Sequence, residues 1–170
     1  MDGKLFGNKD VFAIEVNNYV LKSKKGKIRF WLDGRKMGDL KRTDELSISI
    51  KALKLIISKG ELLYDTAFDG MSIQQIFSYC LFLDKKVDDF GPEDFELFEK
   101  LKVFSLFLGE QLDNCAHVIY CKDGFYHFLW SYNNDYSGRK IDYLKNLDYA
   151  KIPMSEVIKV SLLFFEDVSR

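Results

Sequence analysis

The sequence has few cysteines, no apolar run long enough to cross a membrane, and none of the common phosphate-binding motifs. Its 3 cysteines form no CxxC pair, and their odd number argues against a disulfide framework and for free thiols in a reducing compartment. A bilayer span needs about 18 or more apolar residues in a row, and the charged start MDGK is followed by no apolar signal-peptide segment. Neither GxxxxGKS/T nor GxGxxG occurs. These absences predict a cytoplasmic protein without a phosphate-cradling loop.

The region from residue 115 to 127 comes nearest to a reactive constellation. Cys115, His117 and Cys121 share one side of a predicted strand, but a strand places its two cysteines about 20 Å apart, too far for one tetrahedral zinc ion. His127 can meet Cys121 or Tyr120 across a hairpin. A Cys–His nucleophile also needs a site that favours the thiolate, and no nucleophile elbow or glycine-rich oxyanion turn surrounds these residues. We therefore expect no catalytic residue, no metal and no cofactor.

Length and composition indicate one compact domain over residues 1–170. Hydrophobic residues make up 47% of the chain and aromatic residues 15%, which is too apolar for a disordered chain. The net charge of −1 makes no case for general nucleic-acid binding, and Trp31 and Trp130 are expected to pack in the core or on a sheet face. The charge is uneven: residues 1–60 hold 14 Lys and Arg against 7 Asp and Glu, and the remainder holds 11 against 19. Whether the two ends form separate patches depends on the fold.

Alternation with period 2 predicts two strands at the start of the chain, in LFGNKDVFAIEV and IRFWLDGRKMGDL. Their apolar faces consist of Phe12, Ile14 and Val16 in the first strand and Ile28, Phe30 and Leu32 in the second. The lysine-rich residues 22–27 are interpreted as a solvated loop between them, and Asp33-Gly34 predicts a hairpin turn after the second. A helix is predicted next, with Asp44 as its cap, apolar residues at helical spacing and Gly60 as its stop.

Three further helices are predicted. One runs from Ser72, as N-cap, to about Leu83, and another begins at Pro92, whose missing amide costs nothing in a first turn. The stretch from Val103 to Leu108 either extends that helix or switches to a strand, because periodicity cannot decide for so short a run. The last helix is predicted to be capped by Ser155 and to bury Val157, Val160, Leu163 and Phe164.

A second hairpin is predicted from HVIYC through Lys122-Asp123-Gly124 to FYHFLWSY. With a two-residue turn at Asp123-Gly124, Ile119 and Cys121 share a face with the aromatic residues at 126, 128 and 130. If Lys122 joins the turn, the parity shifts by one and Tyr120 joins those aromatics instead. The stretch from Ile141 to Ile152 is predicted as a further strand with an irregular middle. The order of elements predicts an α+β fold, a single domain with a mainly antiparallel sheet and helices packed against it.

The segment DKKVDDFGPEDFELFEK is the best candidate for contact with a partner. Carboxylates interrupted by phenylalanines can steer association with a basic cleft and anchor it with a buried ring. The alternative is a solvated acidic loop with its rings in the core. A second candidate is the loop at 132–136, because tyrosine and asparagine are favoured in recognition loops, although an ordinary turn has the same composition. The partner-binding residues chosen from both are Asp84, Asp88, Asp89, Glu93, Asp94, Tyr132, Asn134, Asp135 and Tyr136.

Two blocks of the chain carry a resemblance to a known family. They are Phe6-Gly7, Lys9, Phe12-Ala13-Ile14-Glu15, Trp31, Gly34 and Gly38-Asp39 near the start, and Ile152-Pro153 before the helix from Ser155 to Val168 near the end. In these blocks the chain resembles the immunity protein 42 family, found beside bacterial polymorphic toxins and contact-dependent inhibition systems. The resemblance implies a non-enzymatic, cytoplasmic immunity protein that binds and neutralises a cognate toxin domain, with no nucleic-acid or membrane partner. The alternatives are a small-molecule binding or sensor domain with an aromatic-lined pocket, and an enzyme that uses His127 or the carboxylates as acid and base.

Overall fold

The structure, a computed structural model, describes residues 3–20, 22–85, 89–132 and 143–169. Within those ranges the chain forms two antiparallel sheets with helices packed against them, which confirms the predicted α+β fold. The strands are β1 (Lys4–Asn8), β2 (Phe12–Val20), β3 (Lys25–Leu32), β4 (Arg35–Met37), β5 (Asp44–Glu45), β6 (Cys115–Lys122), β7 (Phe125–Tyr132) and β8 (Asp148–Pro153). The helices are α1 (Leu46–Lys59), α2 (Ile73–Leu81), α3 (Pro92–Leu101) and α4 (Met154–Ser169).

The first sheet runs in the order β1-β2-β3-β4, and β5 pairs with the start of β3. The alternation predicted for β2 and β3 is confirmed, because the pairing of Ile14 with Phe30 places the apolar side chains of both strands on one buried face. The predicted turn is confirmed as well. Asp33 and Gly34 take φ angles of 52° and 72°, the positive values that a two-residue hairpin turn requires.

The start of the chain differs from the prediction in two places. LFGNKDVFAIEV is a hairpin of β1 and β2 and not one strand, because Asn8 Oδ1 accepts a hydrogen bond from the Asp10 amide at 3.0 Å and the chain turns at residues 9–11. An asparagine that binds the backbone two residues on is a local turn signal, which the apolar periodicity hides. The predicted loop at 22–27 is shorter, since Lys25 and Gly26 already pair with β5.

Helix α1 ends at Gly60 as predicted, with φ of 48°, but its predicted cap is wrong. Its N-cap is Glu45, and no side chain caps the first turn. Asp44 instead accepts a hydrogen bond from the Glu110 amide at 2.7 Å, across 66 residues of sequence. This long-range bond, together with the pairing of Asp44 in β5, displaces the start of the helix by one residue.

Local signals predict the starts of α2 and α3 correctly. The hydroxyl of Ser72 accepts a hydrogen bond from the Gln75 amide, the Gln75 side chain accepts one from the Ser72 amide, and Pro92 is the first residue of α3. The stretch from Val103 to Leu108 is neither of the predicted alternatives, because a 3-10 turn at residues 102–104 leads into irregular chain.

Helix α4 begins at Met154, so Ser155 lies inside its first turn and not at the cap. Val157, Val160 and Phe164 are buried as predicted, but Leu163 is 48% exposed. On a helix with 3.6 residues per turn, Leu163 points about 120° away from Val157. The buried stripe of α4 continues instead through residues 164, 165 and 168.

The second sheet runs in the order β6-β7-β8. Cys121 pairs with Tyr126, and the turn between the two strands consists of the two residues Asp123-Gly124. Of the two registers that the sequence allows, the structure therefore has the one in which residues 119 and 121 share a face with residues 126, 128 and 130. The strand predicted from Ile141 to Ile152 is shorter. It begins at Asp148, residues 143–146 form a turn, and residues 141–142 lie outside the described part.

One buried cluster joins both sheets with the helices. Phe12 of β2 stacks on Phe128 of β7 with ring centroids 6.1 Å apart. Helix α4 packs across strands of both sheets, and α2 packs on β6. Lys100 of α3 pairs with Asp65, in the chain that leads to α2, which fastens α3 on the same side as α2. Among the described helices, none combines the length and the apolar content of a membrane span.

Candidate functional site

The described part of the predicted contact segment lies in the turn after α2, at residues 89–91 and in α3. Its three phenylalanine rings join that of Phe82, at the end of α2, in a chain, with centroid distances of 5.9 Å from Phe98 to Phe82, 5.3 Å from Phe82 to Phe90 and 5.9 Å from Phe90 to Phe95. These rings, with the exposed carboxylates next to them in the chain, are called here the acidic aromatic surface: Phe82, Phe90, Phe95, Phe98, Asp89, Glu93 and Glu96.

The rings of α3 lie at the surface and not in the core. Phe95 is 58% exposed and Phe98 is 45% exposed, whereas Leu101 in the last turn of the same helix is fully buried. The alternative in which both rings enter the core is therefore wrong. Phe82, at the C-terminal cap of α2, has a φ of 54°, a conformation that bulky residues rarely adopt and that costs on the order of 1 kcal/mol. The strained backbone at Phe82 places its ring between those of Phe90 and Phe98.

The carboxylates of the segment differ in what they contact. Asp89 and Glu93 are exposed. Asp94 accepts a hydrogen bond from the Gly91 amide at 3.0 Å and pairs with Lys85, and these two partners hold the pKa of Asp94 below its usual value. Asp94 thus fastens the start of α3 to the turn after α2. Asp84, in that turn, accepts a hydrogen bond from the Ser78 hydroxyl at 3.0 Å, and Asp88 lies outside the described residues.

The second predicted contact loop begins at Tyr132, the last residue of β7. Its hydroxyl accepts a hydrogen bond from the Gly38 amide at 2.8 Å and donates one to the Lys36 carbonyl at 3.1 Å. Burial raises the pKa of Tyr132, so this hydroxyl stays protonated. Tyr132 therefore ties the two sheets together. Asn134, Asp135 and Tyr136 lie outside the described residues, and their contact role stays a prediction.

The cysteines and histidines form hydrogen-bonded or apolar contacts in the core. Burial raises the pKa of Cys115 to about 12 and that of Cys121 to about 11, so both thiols stay protonated and are poor nucleophiles. His117 Nε2 lies 2.8 Å from the Leu106 carbonyl oxygen. His127 does meet Tyr120, with stacked rings 4.5 Å apart, and its Nδ1 lies 2.8 Å from the Tyr149 hydroxyl. Among the described residues, no group of three or more His, Cys, Asp or Glu could hold a metal ion.

Two large aromatic residues of the second sheet, Tyr126 and Trp130, belong to the core. Tyr126 and Trp130 have no exposed surface, and the hydroxyl of Tyr126 donates a hydrogen bond to the Ile56 carbonyl at 3.0 Å. Trp130 is buried as expected for a core residue. These positions therefore give no support to the small-molecule alternative.

A basic cluster around Trp31, on the solvent side of the first sheet, is not among the predicted contacts. Lys9 lies over the indole ring at 4.3 Å, Arg29 at 5.0 Å and Lys36 at 5.2 Å. Glu15 accepts hydrogen bonds from Arg29 at 2.8 Å and from the Trp31 indole at 2.7 Å. Burial acts to raise the pKa of Glu15, but these two hydrogen bonds outweigh it and hold the pKa below its usual value. The signal was present in the sequence, since residues 27, 29 and 31 alternate with the apolar face of β3.

The uneven charge of the chain therefore corresponds to separate surfaces. The cations around Trp31 come from the first sixty residues and lie on the first sheet, whereas the acidic aromatic surface lies between residues 82 and 98, in the turn after α2 and in α3.

Comparisons with known proteins identify the family. The family model described as immunity protein 42 matches residues 1–164, and no curated protein matches the chain. Among solved structures, the chain is similar to CdiI from Burkholderia dolosa AUO158, with 12% sequence identity, a TM-score of 0.60, and 96% of this chain and 99% of that chain covered. At this identity the likeness shows a shared fold. Because the family model covers nearly the whole sequence, the chain belongs to the immunity protein 42 family and is an immunity protein, which neutralises a toxin.

Proposed function

We propose that this immunity protein acts in the cytoplasm by binding one cognate toxin domain directly, without a catalytic step, and that the acidic aromatic surface makes the contact. The toxin is then expected to present a basic surface with apolar recesses. The buried, protonated thiols and the hydrogen-bonded histidines described above are consistent with a protein that acts by occupying a partner's surface and not by chemistry of its own.

The observation that supports this surface is the exposure of two phenylalanines side by side. Phe95 and Phe98 are three residues apart on α3, so they lie on one face of the helix. Contiguous exposed apolar groups with a polar rim mark interaction sites in soluble proteins, and aromatic anchors carry much of the energy of protein interfaces. The exposed carboxylates of Asp89, Glu93 and Glu96 add the charge that steers a basic partner into contact.

Co-expression with the cognate toxin domain tests the proposal. The wild-type protein is expected to restore growth and to co-purify with the toxin domain. Reversing the exposed charges in the double variant Glu93→Lys/Glu96→Lys is expected to reduce both, because repulsion then replaces attraction on a surface that interacts with a basic partner. Asp94 is left intact in this variant, since it holds the start of α3.

A matched control is the charge reversal Glu166→Lys, at an exposed position of α4. This variant is expected to protect as well as the wild-type protein. Full protection by the Glu93→Lys/Glu96→Lys variant would reject the surface, whereas failure of the wild-type protein to bind the toxin domain would reject direct neutralisation.

A further inference from the structure

A cleft of about 360 Å³ lies beside the turn that follows α2. Met71, Tyr79 and Leu144 supply apolar lining, and Gln74 adds a side-chain amide. Asp84, one of the predicted partner-binding residues, also lines the cleft. The cleft thus joins an acidic group to apolar lining, and Asp84 belongs to the turn after α2, close in the chain to the acidic aromatic surface.

The carboxylate of Asp84 is held in place but is not paired with a cation of the described chain. Ser78 donates its hydroxyl to Asp84 Oδ2 at 3.0 Å, which orients the carboxylate and still leaves acceptor capacity, since a carboxylate accepts about four hydrogen bonds. Its neighbour Lys85 pairs with Asp94 at the start of α3. The nearest cation along the sequence is therefore already engaged elsewhere.

We propose that this cleft receives one arginine side chain of the toxin domain, an inference that rests on the proposed function. The methylene groups of an arginine pack against the apolar lining, and its planar guanidinium stacks on the Tyr79 ring and donates hydrogen bonds to Asp84. Arginine fits better than lysine, because its head group is planar, less strongly hydrated and able to bond a carboxylate through two nitrogens. The cleft is then a specificity subsite beside the acidic aromatic surface.

The first test needs no toxin. The ¹⁵N-labelled immunity protein is titrated with N-acetyl-arginine methylamide and, separately, with N-acetyl-lysine methylamide, while amide chemical shifts are followed by NMR. The arginine probe is expected to shift the amides of Gln74, Ser78 and Tyr79, to do so at lower concentration than the lysine probe, and to lose this effect in Asp84→Asn. Shifts that persist unchanged in Asp84→Asn, or equal binding of both probes, would overturn the assignment.

The second test measures the affinity of the full-length protein for the purified toxin domain. Asp84→Asn is expected to weaken binding about tenfold or more, because a charge-assisted hydrogen bond is lost. Glu166→Gln, an exposed substitution on α4, is the matched control and is expected to leave the affinity unchanged. Tight toxin binding by Asp84→Asn rejects the subsite and leaves the proposed function standing. Absence of toxin binding by the wild-type protein rejects the proposed function, and the probe titration then still decides the cleft.

Discussion

Truncation of Phe95 to alanine separates binding from folding. An aromatic side chain removes about 150–250 Å² from water when it is buried. The 58% of Phe95 that is exposed therefore corresponds to about 115 Å², or about 3 kcal/mol at about 25 cal/mol per Å² if a partner covers it completely. Association also costs entropy and desolvation, so we expect a loss of about 1.5–2 kcal/mol, which is about ten- to thirtyfold in Kd.

The same substitution is expected to cost little stability. The buried part of Phe95 is the smaller part, and alanine has a higher helix propensity than phenylalanine, so the free energy of unfolding should fall by only about 1 kcal/mol. Leu101→Ala, at a fully buried position of the same helix, is expected to cost about 2–5 kcal/mol. Urea denaturation measures both changes, and calorimetric titration with the purified toxin domain measures the affinity.

Phe107→Ala provides the matched control, because Phe107 is 54% exposed and contacts none of the four rings of the acidic aromatic surface. It should bind the toxin domain like the wild-type protein. Equal affinity for Phe95→Ala and wild-type protein, or an equal loss in Phe107→Ala, would refute the reasoning from exposed area.

Three further predictions concern stability. Tyr132→Phe should lower the free energy of unfolding by about 1–2 kcal/mol in urea, because the Gly38 amide and Lys36 carbonyl lose their partner; an unchanged midpoint would contradict this. Burial lowers the pKa of His117 below 6.5, so the unfolded state binds a proton at a higher pH than the folded state. The free energy of unfolding should therefore fall as the pH drops below about 6.5, and it should fall less steeply in the His117→Gln variant, which has no imidazole to protonate. Glu15→Gln should cost about 1–2 kcal/mol at pH 7. The pKa of Glu15 is lowered in the folded protein, so the difference in stability between wild type and Glu15→Gln should shrink as the pH falls from about 4.3 through that lowered pKa. A difference that stays constant down to about pH 2 would contradict this.

The second hairpin and the starts of α2 and α3 could be predicted because their causes are local. Asp123-Gly124 tolerates the two positive φ angles that a tight hairpin needs, and Ser72 caps α2 through a residue three positions away. The register of that hairpin needed one further fact, the number of residues in the turn. A change of one residue moves every side chain of a strand to the other face, and the sequence was compatible with both choices.

The candidate site could be predicted as a segment but not as a surface. Alternation of carboxylates with phenylalanines located the region around α3, yet the same pattern is compatible with rings inside the core. Only the packed structure shows that Phe95 and Phe98 are exposed while Leu101 of the same helix is buried. The cluster at Trp31 likewise needed three strands side by side, since Lys9 and Lys36 lie on either side of it in the sequence.

The sequence by itself determined the class of fold, the two Asp-Gly turns, the starts of α2 and α3 and the family, because these depend on side chains within a few residues of one another or on patterns along one element. Only the tertiary structure shows which groups far apart in the sequence form hydrogen bonds with each other. Asp44 binds an amide 66 residues away, and Tyr132 joins β7 to the chain around β4, 94 residues away. Such contacts depend on how sheets and helices pack in space, and a linear pattern carries no record of that geometry.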